Sequence, residues 1–473
     1  MLIEQAVAEA LESVFVTGRL ASEESDSCTW LGLSGGVDST VLLHAAAHYC
    51  SAAPGSKLKA IHVHHGLSEN ADAWAKQAQS LCEQLSAAFS ITIDCIVEKV
   101  QLDDRSDGLE QAARSARYQA FEKHCGPNDV LLQGHHLDDQ IETFFMRAIR
   151  GSGLTGLASI PKQRSLSRKN SCQILRPLLN IEKSQLTAYA QQNQLSWVED
   201  ESNQDSKIER NWWRNELLPQ IWQRYPQQKH SLSRTINTIQ HEQSLLQRLI
   251  TEKLMTISAA QKAHSSIHPV LSSIPKFDLS LMEELDQATS LSYLRAWLAQ
   301  YVDILPSAIQ MQTIYVDMFN VRQDAEPCFQ WAGSSLRYYK QSLYLLKAES
   351  CQAKDYEVDG CEINNGWQGE MLQCVSGQLS SQRVIDEIAL RPAEYRIQYW
   401  QAGDVAKPFG RSTRKMKKWW QDYSVPSWAR HEWPIIVDKE TNEIAAVPGL
   451  FICQDHCVEQ GQAGWQLVYK ATQ

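Results

Sequence analysis

Leu31-Gly32-Leu33-Ser34-Gly35-Gly36-Val37-Asp38-Ser39-Thr40 decides how this chain is read: the end of an apolar strand, a Ser/Gly turn and a helix start follow one another directly. Gly35 and Gly36 let backbone N–H groups converge on an anion, Ser34 and Ser39 add hydroxyl donors, and the helix opened by Val37 contributes its positive end. The result is a phosphate cradle. Asp38 makes sense beside it only with a cation, and Mg²⁺ held through one carboxylate plus substrate phosphates is the usual arrangement. The competing reading is a plain turn with Asp38 and Ser39 as helix N-caps; the apolar strand immediately before the turn weighs against it.

Outward from that loop, Thr29–Leu33, Lys59–His64, Ser90–Val97 and Val130–Gln133 read as strands, each followed by a turn and a helical period. Ala71, Trp74, Ala78, Leu81 and Leu85 recur at three-and-four spacing, as do Leu109, Ala112, Ala113, Ala116, Ala120 and Phe121. This alternation predicts an α/β fold whose N-terminal domain is a doubly wound parallel sheet. Such sheets bind ligands beyond the carboxyl ends of their strands, so chemistry is expected in the loops after the first, second and fourth strands.

Further along, Pro161–Asn170, reading PKQRSLSRKN, is expected to be a mobile basic loop and Leu186–Arg224 to be helical. Pro226–Leu249 reads as a polar connecting helix with its proline in the first turn. Helical patterns such as Leu279–Tyr301, with a strand-like tail at Ser335–Leu346, give a helical middle domain. Cys351–Gly377 reads as loop or edge strand, and from Arg383 short strands and turn signals give a small mixed α/β or mostly β C-terminal domain. The expected division is 1–225, 226–350 and 383–473.

Among 473 residues, 45 basic against 55 acidic side chains leave a net charge of −10, so a nucleic acid must meet local basic patches rather than a basic whole. Met1–Val16 reads as an amphipathic helix without the basic start of a secretory signal, and no stretch is long enough to span a bilayer. Twelve scattered cysteines form no CxxC pair, which points to reduced thiols, a cytoplasmic location and no membrane partner. Oligomeric state is left open, a homodimer included.

The SGGVDS loop resembles the signature of the PP-loop ATP pyrophosphatases, whose members split ATP to AMP and pyrophosphate and share an adenine nucleotide alpha hydrolase-like fold. Within that group the chain is similar to the tRNA(Ile)-lysidine synthases. The resemblance is carried by His62-Val63-His64-His65-Gly66-Leu67, by Glu110-Gln111-Ala112-Ala113-Arg114-Ser115-Ala116-Arg117-Tyr118, and by Gly134-His135-His136-Leu137-Asp138-Asp139-Gln140-Ile141-Glu142-Thr143. Arg150-Gly151-Ser152-Gly153-Leu154-Thr155-Gly156-Leu157, Arg176-Pro177-Leu178, Asp200-Glu201-Ser202-Asn203 and Arg210-Asn211 with Arg214 continue it, so that it covers roughly residues 28–220. Near the C-terminus Gly403-Asp404, a Lys/Arg-rich helix and Val425-Pro426 add a weaker match. Val405-Ala406 departs there from an arginine that family members often carry.

The resemblance implies ligation of L-lysine to C2 of the wobble cytidine in tRNA(Ile) with a CAU anticodon, with ATP and Mg²⁺ as cofactors. The C2 oxygen is a poor leaving group, so it is first adenylylated with loss of pyrophosphate, after which the lysine amine displaces AMP. Ser34, Gly35, Gly36, Val37, Asp38, Ser39, His62 and Gly134 fall to ATP, and Asp38 also to Mg²⁺. Arg114 and Arg117, three apart on one helix, can present donors to the α-phosphate or the leaving AMP, the alternative being a solvated basic face. His135 at a strand's carboxyl edge can stabilise phosphate charge or move a proton. Asp138, Asp139 and Glu142 share a helix start, where carboxylates complement the dipole or hold the lysine ammonium.

Arg210 and Arg214 are assigned to tRNA. So are Arg411, Arg414, Lys415, Lys417 and Lys418, which lie with Trp419 and Trp420 in a segment, Arg391–Arg430, of nine basic and three acidic residues. The alternative there is a solvated helix with its tryptophans in the core. His62 and His64 alternate away from His65 and are not expected to form a zinc site, and Cys453, His456 and Cys457 are expected in core packing. Rival functions are another PP-loop enzyme such as a tRNA thiolase, a small-molecule amidotransferase-type synthetase, and a non-catalytic ATP-sensing RNA-binding protein. The first would typically carry a catalytic or cluster-binding cysteine set, the second a glutaminase domain, and the third no need of Arg117, His135 and an acidic helix start together.

Overall fold

The computed structural model describes residues 2–15, 27–53, 55–66, 68–101, 109–264, 271, 273–319, 321, 325–347, 362–363, 372–374, 377–385, 388–459 and 461–471. The chain divides into two compact units, 1–247 and 248–473.

The first unit is built on β1 (Thr29–Gly32), β2 (Leu58–His64), β3 (Ile93–Lys99), β4 (Val130–Leu132), β5 (Gln163–Ser165) and β6 (Gln173–Leu175), in spatial order β3-β2-β1-β4-β6-β5. All neighbours are parallel except the β5 edge. The chain runs outward from β1 through β2 to β3 and then returns to the other side of β1 for β4. That reversal sets the loops after β1 and β4 side by side at the carboxyl edge, the place where doubly wound sheets bind ligands.

Between the strands run α1 (Leu2–Phe15), α2 (Val37–Ala52), α3 (Ala71–Phe89), α4 (Leu109–His124), α5 (Leu137–Ile149), α6 (Leu154–Leu157) and α7 (Lys183–Gln192). The α2 sequence is apolar or small nearly all round because it is enclosed: Val41, Leu42, Leu43, Ala45, Ala46 and Ala47 share one core with Val7 and Leu11 of α1, with Leu31 of β1 and with Leu186 and Ala190 of α7. Beyond α7 come α8 (Glu209–Trp212), a π-helical turn Trp213–Leu217, α9 (Leu218–Arg224) and α10 (Lys229–His264).

Two local expectations are corrected. Pro161–Asn170 is not a free basic loop: Gln163–Ser165 pairs antiparallel with β6, and Asn170 ties the following turn by donating to the Cys125 carbonyl at 2.7 Å. A three-residue strand is too short for its period-2 pattern to register. Nor is Leu186–Arg224 helical throughout, because the chain leaves α7 at Gln192 and returns to the first loop, where the Val198 N–H donates to the Gly35 carbonyl at 2.9 Å. The connecting helix is also longer than expected, 36 residues.

In the second unit the helices Gln287–Leu298 and Ala308–Phe319 pack with a four-stranded antiparallel sheet formed by Lys276–Asp278, Ser342–Lys347, Ser334–Tyr339 and Cys328–Trp331. The middle segment therefore has the expected helices and, besides them, a sheet. Five-stranded and three-stranded antiparallel sheets follow, over a core containing Trp419, Trp420, Trp433, Tyr395 and Tyr469. Of Cys351–Gly377 only 362–363, 372–374 and 377 lie within the described residues, where Glu362–Ile363 and Leu372–Cys374 are strands. Among the described residues no helix is long and apolar enough to cross a membrane.

Glu432, half-buried in this unit, gives it a pH dependence. Burial pushes its carboxyl up to about 7 against the opposing pull of Arg337. The folded state thus binds this proton more tightly than the unfolded chain, so its stabilising contribution is complete below about pH 4.5 and is lost as pH rises through about 7. Glu432→Gln is expected to stabilise the unit by on the order of 1–2 kcal/mol at about pH 8 and to change little at about pH 4.5. Thermal unfolding of both proteins at the two pH values checks this; equal melting shifts at both would contradict it.

Candidate active site

The loop after β1 has the shape its sequence implies. Gly35 takes φ +89°, which only glycine adopts without strain. Ser34 and Ser39 bring their hydroxyls within 3.1 Å of each other, and Ser39 also donates to the Gly36 carbonyl at 3.0 Å. Gly36 occupies the N-cap of α2 with no side-chain cap bond, so neither Asp38 nor Ser39 acts as an N-cap. The first-turn N–H groups remain directed at the cradle.

From the next loop Gly134 closes against it. A Cβ there would stand 3.2 Å from the Asp38 carbonyl carbon and oxygen and 3.3 Å from the Ser39 nitrogen, all of them backbone atoms. Any side chain there would make one of the two loops give by a few tenths of an ångström. Asp38 sits at the seam with one carboxylate oxygen, Oδ1, buried and without a hydrogen-bond partner. Burial raises its pKa, the pull of His136 notwithstanding. A buried acceptor left open next to a phosphate cradle fits a cation ligand.

His136 is the residue that sequence reasoning missed. It is 1% exposed and caps α5, its Nδ1 accepting the Asp138 N–H at 3.2 Å, while its own backbone N–H donates to Asp139 Oδ2 at 3.0 Å. Its ring lies 3.6 Å from Asp38 Oδ2, 3.5 Å from Asp139 Oδ2 and 3.6 Å from Asp138 Oδ2. Burial opposes charge on this ring, but Asp139, Asp138 and Asp38 together outweigh it and hold the pKa above the ordinary imidazole value. One signal was available: His136 occupies the capping position directly before Leu-Asp-Asp.

His135 behaves differently. Burial, reinforced by the positive charge of Arg176 against the pull of Asp139, pushes it down to about 3. Arg176 Nε donates to its Nδ1 at 3.3 Å, which leaves the hydrogen on Nε2. His135 can thus meet phosphate oxygen as a neutral donor. Arg176, 2% exposed, also donates to the Pro161 carbonyl and to Gln133 Oε1, both at 2.8 Å. Gln133 lies 3.4 Å from the Tyr118 hydroxyl, and Tyr118 is flanked by the guanidiniums of Arg114 at 5.3 Å and Arg164 at 4.9 Å. Burial would raise the Tyr118 phenol, yet Arg164, Gln133 and Arg114 bring it down to about 8.

Arg114 and Arg117 are both exposed on α4. The charge of Arg117 reaches His65, which burial first and then Arg117 press down to about 4. Arg117 therefore stands near the carboxyl end of β2, while Arg114 lies over the Tyr118 ring, both with a face toward solvent. His62 is 4% exposed and its Nδ1 donates to the Leu33 carbonyl at 2.9 Å, which braces the strand leading into the cradle.

The acidic start of α5 has partners unforeseen in sequence. Glu142 is wholly buried; its Oε1 accepts Arg214 Nε at 2.7 Å and its Oε2 accepts Arg210 Nε at 2.8 Å and Arg214 Nη2 at 3.0 Å. Asp139 Oδ1 accepts Arg210 Nη2 at 2.9 Å and Arg214 Nη2 at 3.2 Å. Two carboxylates face two guanidiniums, and the arginines expected on tRNA belong to this cluster. Asp138 is likewise engaged: the chain's own Lys229 places Nζ 2.6 Å from its Oδ1, and the Lys183 N–H donates to its Oδ2 at 3.0 Å. Burial notwithstanding, His136 and Lys229 hold its carboxyl well below the ordinary range. A substrate ammonium at Asp138 would have to displace Lys229.

Away from this site, Arg411, Arg414, Lys415, Lys417 and Lys418 are all exposed, whereas Trp419 and Trp420 are 1% and 0% exposed. Arg411 and Arg414 lie 5.8 and 5.2 Å from the centre of the Trp419 ring, so the tryptophan carries the basic face from beneath and offers nothing for a base to stack on. Val405-Ala406 pairs with Arg414-Lys415 in a two-stranded ribbon behind the Gly403 turn, φ +110°. Cys453 and His456 are buried, as expected for packing residues, whereas Cys457 is half-buried.

A parallel sheet with a Ser-Gly-Gly anion cradle at its switch point defines a nucleotide-binding domain of the PP-loop class, and a PP-loop domain model matches residues 4–221. Models of a TilS substrate binding domain and a TilS substrate C-terminal domain match residues 277–344 and 395–469. A tRNA(Ile)-lysidine synthase of Photobacterium profundum is 34% identical over 445 residues, 92% of this chain and 94% of its own length. Namesakes from Vibrio atlanticus and Haemophilus influenzae are 35% and 36% identical, over 92% and 89% of this chain and 94% of theirs. The chain belongs to the tRNA(Ile)-lysidine synthase family. Among solved structures, a U34-tRNA thiolase from Methanococcus maripaludis matches half of this chain and 78% of its own at 19% identity with a TM-score of 0.38, too distant to add to the assignment.

Proposed function

We propose that this protein ligates L-lysine to the wobble cytidine of tRNA(Ile) with a CAU anticodon in two steps at one site. The observation that carries the reading is the position of Asp38. Its open oxygen adjoins the Ser34/Ser39 cradle, while His136 stands between it and the Asp139, Glu142, Arg210 and Arg214 cluster, so phosphate chemistry and amino-acid handling adjoin.

In the first step the C2 oxygen of cytosine attacks the α-phosphorus of ATP, the bond to the bridging oxygen breaks, and pyrophosphate leaves toward Ser34, Ser39 and the first-turn N–H groups of α2. Arg114 and Arg117 supply positive charge to the α-phosphate, and His135 supplies a neutral Nε2–H donor oriented by Arg176. Asp38 would hold Mg²⁺, which supplies charge neutralisation of the phosphates when bound. In the second step the lysine ε-amine, having lost a proton, bonds to C2 and AMP departs with the former C2 oxygen. Arg210 and Arg214 take the α-carboxylate of lysine, a reading supported by their pairing with Glu142 and Asp139 beside Asp38. Glu142, closed to solvent, fixes those two arginines, and Asp138 anchors Lys229 at the start of α10.

We assign residues 1–225 to catalysis and 226–350 and 383–473 to holding tRNA. The exposed basic face at Arg411–Lys418 supports the last assignment. Each lost phosphate contact lowers the salt slope of binding by about one unit, so Lys415→Ala, Lys417→Ala and Lys418→Ala combined should flatten it by up to about three. ATP binding should be unchanged. Filter binding across a salt series reads both, and a wild-type slope would place the tRNA body elsewhere.

The function itself is tested by incubating the protein with labelled lysine, ATP and transcripts of tRNA(Ile) bearing CAU or UAU anticodons. Label is expected in the CAU transcript alone and only with ATP. Labelling of both transcripts, or of neither, overturns the proposal.

A further inference from the structure

We infer that His136 is a positioning residue that holds the Asp38 carboxylate in the orientation in which it meets the cation; this rests on the reading of Asp38 as the cation's ligand. Nδ1 of His136 accepts the Asp138 N–H, so its lone pair is committed and the ring hydrogen sits on Nε2. That edge faces Asp38 Oδ2 at 3.6 Å and Asp139 Oδ2 at 3.5 Å. The ring is 1% exposed, so water does not substitute for it.

Two consequences follow for Asp38. Its Oδ2 lies against the imidazole edge and its Oδ1 is buried without a hydrogen-bond partner, so the ring is the side chain that sets how the carboxylate is turned. The imidazole also stands between Asp38 and Asp139, whose negative charges disfavour each other. Without it, the Asp38 carboxylate is free to turn and is pushed from the cradle. Groups that orient a metal ligand typically change metal affinity about 10–100-fold when removed.

The cap and the orientation can be separated by substitution. His136→Asn keeps a good N-cap acceptor for α5 but is too short to reach Asp38, and His136→Ser is a second variant of the same kind. Mn²⁺ binding to the full-length protein with α,β-methylene-ATP is followed by electron paramagnetic resonance for wild type, both His136 variants and Asp38→Asn, with thermal melting alongside. The expected result is Mn²⁺ affinity lowered at least ~10-fold in the His136 variants, with melting unchanged in at least one of them, and lost in Asp38→Asn. Wild-type affinity in a folded His136 variant, with binding lost in Asp38→Asn, overturns the role of His136 alone. Wild-type affinity in Asp38→Asn overturns the underlying reading of Asp38.

Discussion

Asp38→Asn is expected to abolish pyrophosphate release, lowering its rate by on the order of 10²–10³-fold or more, while the protein melts at or slightly above the wild-type temperature. The two halves have one cause. Burial makes a charge on Asp38 costly, so the nearly isosteric amide relieves the fold of it, whereas the phosphates lose the carboxylate that a cation needs. Pyrophosphate release with saturating ATP and tRNA, set beside a melting curve, separates these effects. Undiminished release would remove Asp38 from the mechanism, and loss of release together with collapse of the fold would make it a structural residue.

Glu142→Gln should have the second-largest effect, and on two observables. The carboxylate is wholly buried and accepts from both Arg210 and Arg214. Removing one partner from a buried ion cluster leaves uncompensated charge and costs roughly 3–5 kcal/mol. Because the arginines it orients are assigned to lysine, the KM for lysine should rise well above wild type while that for ATP stays put. Asp138→Asn, at a partly exposed pair with Lys229, should move both by much less. A parallel rise of the two KM values in Glu142→Gln would transfer the cluster to the ATP side.

What could be read in sequence was whatever depends on neighbours along the chain. The cradle is one such feature, since Ser34 through Ser39 are contiguous and their geometry follows from glycine and a helix start. The shared face of Asp139 and Glu142 is another, because three-residue spacing on a helix determines it. Their partners Arg210 and Arg214 lie 68 to 75 positions away, and only the return of the chain after α7 brings them together. The role of His136 escaped the sequence for a related reason. Adjacent residues at a strand-to-helix junction point in different directions, and the one that caps α5 is the one facing three carboxylates. Trp419 and Trp420 looked equally suited to a base or a core, and the decision rested on Trp433, just before the strand Pro434–Asp438, which packs on Trp420, and on Tyr469 of the last strand, which packs on Trp433.

Label transfer from α-³²P-ATP to tRNA in the absence of lysine tests the two-step claim most directly. The CAU transcript is expected to acquire label in a single turnover with one pyrophosphate released, and added lysine to discharge that label as AMP. Release of AMP only when lysine and tRNA are both present, with no labelled tRNA trapped beforehand, would contradict it.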